Sequence, residues 1–137
     1  MIASLILALS VQQPAPPNPA WNCADPQVQQ EMNWCAGQDY EAADKELNAQ
    51  WALARAAMKA RDAEWAKTGS ADKRPGWAAS LLEAQRGWLR YRDAHCALDG
   101  YEARGGSLEP LLVLTCKARA TRARTQELKE LTQRPQG

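Results

Sequence analysis

The sequence predicts an all-α fold: a small antiparallel three-helix bundle stapled by two disulfides, with a short arm as an extra N-terminal helix. Three observations predict it. Apolar residues recur at helical spacing in three stretches, separated by glycine- and proline-rich breaks. No stretch alternates apolar with polar residues as a half-buried strand does. Four cysteines, an even number, follow an apolar N-terminal run, which points to paired cysteines outside the cytosol.

Residues 1–10 read as a signal peptide, because Ile2–Val11 is apolar and Ala8-Leu9-Ser10 has the small-x-small pattern of a cleavage site. The run falls short of the about 20 residues that span a bilayer. Lipid anchoring needs a cysteine directly behind such a run, and Cys23 stands too far away, so no membrane anchor is expected in the mature form. Residues 11–22, with Pro14, Pro16, Pro17 and Pro19, read as an extended linker. The helical domain then occupies residues 23–133.

Asp25-Pro26 predicts a helix start, Asp as N-cap and Pro at the first helical position. Met32, Cys35, Tyr40, Ala43, Leu47, Trp51, Ala54 and Met58 continue it as an amphipathic stripe. Gly37 is expected to kink or break this stretch, leaving the short arm ahead of a long helix from about Gln38 to Lys67. Thr68–Gly76 is the first loop. The second helix is expected from about Trp77 to Ala103, with Leu81, Leu82, Gln85, Trp88, Leu89, Arg92 and Cys96 on its apolar side. Gly105-Gly106 stops it. Ser107 or Glu109 serves as cap for a third helix, with Pro110 in its first turn, running through Leu112, Cys116, Leu128 and Leu131 to Pro135. Helices of about 25–30 residues measure roughly 40 Å each, and short connections favour an up-down-up arrangement.

All four cysteines, Cys23, Cys35, Cys96 and Cys116, fall at one end of such a bundle. If residues 26–35 were regular helix, Cys23 and Cys35 would stand about 15 Å apart, beyond the ~7 Å that a disulfide tolerates. That bridge requires the leading segment to double back. Cys23–Cys35 with Cys96–Cys116, and Cys35–Cys96 with Cys23–Cys116, both remain open on spacing.

Composition excludes several functions. The formal net charge is +1 with acids and bases interspersed, so no nucleic-acid partner is expected. His95 is the lone histidine, beside Asp93 and Tyr91 but with no nucleophile evidently paired to it. Catalytic residues are therefore expected to be absent, and the chain not to be an enzyme. Cysteine gaps this long do not suit zinc, so no metal and no cofactor is expected. Glu31, Asp39 and Glu46 make no carboxylate pair of the glycosidase kind. Asp44, Asn48, Gln85 and Arg92 read as a buried polar network joining the first two helices, with Arg92 paired to Asp44. Trp51, Trp65, Trp77 and Trp88 read as core. Arg119, Arg122 and Arg124 read as a solvated helix face.

Cys23, the run Glu31-Met32-Asn33-Trp34-Cys35-Ala36, then Tyr40, Asp44, Leu47-Asn48 and Trp51 form an ordered set. Ala84 to Cys96 (AQRGWLRYRDAHC), Gly105-Gly106-Ser107, Cys116 and Thr121-Arg122 complete it. Together they resemble the bacterial envelope family named after the lysozyme inhibitor LprI, in its four-cysteine N-terminal domain. The resemblance implies a helical periplasmic or secreted domain with paired cysteines and, as partner, lysozyme or another envelope protein. The contact residues it leaves to be expected are those of an exposed turn, Tyr101, Glu102, Gly105, Gly106 and Ser107, or the Thr68–Gly76 loop. A structural or interaction module of the envelope that inhibits nothing is the competing expectation.

Overall fold

The computed structural model describes residues 16–135, so the signal-like run lies outside the described residues. Three helices, α1 (Gln29–Ala66), α2 (Trp77–Gly100) and α3 (Glu109–Gln133), form the bundle, with one 3-10 turn (Tyr101–Ala103) after α2. The two disulfides join Cys23 to Cys35 and Cys96 to Cys116. At 38 residues α1 far exceeds α2 and α3, which have 24 and 25.

The buried stripe of α1 is Ala36, Ala43, Leu47, Gln50, Ala54 and Met58, steps of three, four or seven that keep one face inward. Ala118, Thr121, Thr125 and Leu128 answer it from α3. The many small residues let α1 and α3 approach closely. The apolar centre gathers Leu47, Ala54, Met58, Leu81 and Leu128, with Trp51, Trp88 and Leu131 packed around it. This is a thin core for a domain of this size, and cross-links compensate for that.

Several expectations need correction. Gly37 does not break α1. A Cβ there would only touch Leu114 Cδ1 at 3.9 Å, so the glycine sits in an ordinary helix against α3. There is accordingly no extra N-terminal helix among the described residues. Asp25 does not cap α1, which starts at Gln29 after the extended Val28. Neither Ser107 nor Glu109 caps α3 by its side chain: Leu108 is the N-cap, and Pro110 does lie in the first turn. The α-helical part of α2 ends at Gly100, three residues early. Residues 16–22 are not a plain extended linker, because Trp21 N donates to Asn18 O and the Trp21 ring packs on Trp34 at 6.2 Å.

The loop end is organised by Asp62. Its carboxylate accepts hydrogen bonds from Trp77 N (2.8 Å) and Ala78 N (3.0 Å). A residue of α1 thus satisfies the N-terminus of α2, where Gly76 offers no side chain. Gly69, at φ +66°, supplies the left-handed residue that ends α1.

Candidate functional site

At the other end the leader folds back over the start of α1. Glu31 is buried and binds the leader's backbone, while the N-terminus of α1 carries no side-chain cap. One carboxylate oxygen accepts from Gln27 N at 2.7 Å and the other from Asn22 N. The amides of Gln27, Asn22 and Val28 hold this carboxyl below the usual carboxylate range. Because the helix starts only at Gln29, the leader doubles back, and the Cα atoms of Cys23 and Cys35 come within 5.5 Å.

The turn between α2 and α3 is equally fixed. Gly100 is buried so tightly that a Cβ would overlap Val113. Gly105, at φ +79°, donates its amide to Glu109 Oε2 at 2.7 Å, and Gly106 N donates to Ala103 O at 2.9 Å. Asn33 Nδ2 donates to Ser107 O at 2.9 Å and ties the turn to α1. Tyr101, Glu102, Gly105, Gly106 and Ser107 are all exposed. The Arg104 guanidinium lies 4.5 Å above the Tyr101 ring. Leu98 and Leu108 are exposed beside them.

Charge sets this end apart. Residues 16–39 and 97–113, brought together here, hold six acids (Asp25, Glu31, Asp39, Asp99, Glu102, Glu109) and one base, Arg104, a net of −5. The remainder holds 10 acids and 16 bases, a net of +6. Two basic residues reach up from below. Arg122 forks onto Asp39 at 2.5 and 3.0 Å and holds that carboxyl below its ordinary range, and Arg119 Nη2 lies 3.4 Å from Asp99. Both arginines were expected only as a solvated face.

The polar network falls differently from its expected form. Arg92 is buried between the rings of Tyr40 and Trp88, 5.4 and 5.1 Å from their centroids. It bonds Asp93 Oδ1 (3.0 Å) and Thr121 Oγ1 (3.2 Å), and Asp44 Oδ1 stands at 3.7 Å. Asn48 is exposed and bonds only Asp44, at 3.2 Å. Gln85 turns to α3, accepting from Arg124 Nε at 2.9 Å, so it does not join α1 to α2. The arginine acts as a three-helix spacer.

His95 stacks on Tyr91 at 5.2 Å on the exposed side of α2. It comes near Asp99 and Cys116 in the one cluster of potential metal ligands found among the described residues. The Cys116 sulfur is committed to its disulfide, which leaves two donors, too few for a structural site.

Opposite this end, Met58, Leu81, Leu131, Trp65 and Trp77 line an open groove of about 790 Å³, with Arg124 and the Asp72–Arg74 ion pair. Trp65 and Trp77 meet edge to face at 5.7 Å and are exposed, contrary to their expected place in the core. Trp51 and Trp88 are half-buried against the centre.

Fold and surface together define a disulfide-stapled helical scaffold with a rigid, acidic, solvent-exposed end. More specifically, the chain belongs to the family described as Lysozyme inhibitor LprI, whose model matches residues 21–128. It is also 48% identical over 122 residues to an uncharacterized protein of Rhizobium meliloti (strain 1021), a similarity covering 89% of this chain and 83% of that one. No solved structure matches it. No helix among the described residues is long and apolar enough to cross a membrane.

Proposed function

We propose that this is an exported bacterial envelope protein that binds lysozyme-type muramidases and occludes their cleft with its acidic end. The family match supports the partner class, and the excess of acid at this end, a net of −3 once Arg119 and Arg122 are counted with Arg104, is the observation that carries the choice of surface, with Glu102 exposed at its tip. Lysozymes of the common type are strongly basic, and complementary charge raises association rate and fixes orientation. Tyr101, Glu102 and the Gly105-Gly106-Ser107 tip form the inserting element. The turn is held by the Cys96–Cys116 bridge, by Asn33 and by Glu109, so docking orders little new structure. The Thr68–Gly76 loop, carrying Lys73 and Arg74 with one acid, Asp72, suits such a partner less well. No covalent step is involved.

The test is a cell-wall turbidity assay with purified oxidised protein against several lysozyme classes. Inhibition at micromolar concentration that weakens with salt, and that is lost in Glu102→Lys and reduced in Tyr101→Ala, is expected. Absence of inhibition against every class sinks the proposal.

A further inference from the structure

The groove at the loop end is open and apolar where it is deep. Met58 and Leu81 are buried, whereas Trp65 and Trp77 stand exposed at its mouth. Its surroundings are basic. Residues 59–86 and 123–135 hold nine bases against six acids. The ion pairs Asp72–Arg74, Glu127–Arg124 and Glu64–Lys67 each engage one base with one acid, and Asp62 holds backbone amides, so the surplus around the groove is three bases. A partner for this groove therefore carries an apolar or aromatic anchor inside an acidic surround.

The same molecule presents that chemistry at its opposite end, where Tyr101 and Leu98 project from the acid-rich surface beside Glu102, a net of −3 with Arg119 and Arg122 counted. We propose that the groove receives the acidic end of a second copy, so that copies associate head to tail. Tyr101 sits against Trp77, and Glu102 faces Arg74. Each end differs from the surface it meets, so the contact is heterologous and extends to open chains unless its rotation closes. The attraction is between exposed charges and is screened by salt. This association uses the same Tyr101–Glu102 end as the proposed muramidase contact, so the two compete, and the sedimentation experiment contains no muramidase and is read separately from it.

Sedimentation velocity on the purified oxidised protein tests it. At ~20 mM salt the weight-average mass is expected to rise at least about twofold with concentration, and to return to the monomer value at ~500 mM. Arg74→Glu and Glu102→Lys alter exposed side chains, and circular dichroism verifies that each variant remains helical. Each alone abolishes association, because like charges then meet. An equimolar mixture of the two, and the double variant Arg74→Glu/Glu102→Lys, both recover it, since every groove again meets an end of opposite sign. A monomer at all concentrations, association indifferent to salt and to the swaps, or a double variant that fails to recover overturns the proposal.

Discussion

Replacing Gly100 by alanine should destabilise the bundle, although the same substitution elsewhere in α2 should stabilise it. Gly100 is helical and buried where α2 crosses α3. A Cβ there overlaps Val113 Cγ2 and comes within 3.2 Å of Glu109 Cγ. Val113 has little freedom to rotate away, since a helical valine holds one strongly preferred rotamer. Nor can the helices separate easily, because the Cys96–Cys116 bridge clamps them one turn below. Overpacking of this kind costs about 1–3 kcal/mol, and alanine returns at most ~1 kcal/mol through helix propensity. The net expectation is a loss of about 1–2 kcal/mol, or roughly 3–8 °C in Tm for a domain of this size. At Gly87 a Cβ meets nothing within 4 Å, so Gly87→Ala should gain up to ~1 kcal/mol. Urea unfolding followed by circular dichroism measures both against wild type. Adding Val113→Ala should relieve the Gly100→Ala strain and give a coupling of about 1 kcal/mol or more. A Gly100→Ala protein as stable as Gly87→Ala, or a double variant showing no coupling, refutes the close-approach explanation.

Other substitutions separate further contributions. Arg92→Ala removes the spacer between Tyr40, Trp88 and Thr121 and should cost about 2–4 kcal/mol by urea unfolding, much of it packing. Asp44→Asn should cost under ~1 kcal/mol, since its 3.7 Å pairing with Arg92 is half exposed. Removing the Cys96–Cys116 bridge as a double alanine variant should cost ~3 kcal/mol on loop entropy, read as a lower urea midpoint. The carboxyls of Glu31 and Asp39 are both held below their ordinary values, Glu31 by backbone amides and Asp39 by Arg122. Their contribution is therefore complete above the usual carboxylate range and is lost as pH falls through the depressed values. Amide exchange at Asn22 and Gln27 should stay protected at neutral pH and accelerate only in acid beyond the intrinsic trend, and Glu31→Gln should weaken that protection at neutral pH.

The helices, the loop at Thr68–Gly76 and the glycine turn were legible because period and breakers are local signals. The course of the leader was not. Asp25-Pro26 is a sound local start, but the Glu31 side chain reaches back to two amides and moves the start to Gln29. Gly37 carried a breaker's signal, yet Leu114 packs beside it and the helix continues. Tertiary contact decided both. Gln85 and Arg124 are 39 residues apart, so no spacing rule on α2 could reveal their bond. The acidic end was invisible for a related reason. Its acids come from two distant segments of a chain whose total charge is only +1, and folding alone separates them from the bases.

The two bridges also bear on how the protein is made. Each closes a short stretch, with sequence separations of 12 and 20, whereas either alternative pairing would need loops at least as long as Cys35 to Cys96. Short loops close at the smallest entropic cost, which favours the native pairs over the crossed ones during oxidation. The finished molecule consists of two covalently closed pieces, the leader with the start of α1 and the α2–α3 hairpin, which no disulfide joins to each other. Between them stand the Thr68–Gly76 loop, the shared core, and the bonds of Asn33 to Ser107, Arg122 to Asp39 and Asp62 to the start of α2, so noncovalent packing alone sets how α1 lies on the hairpin.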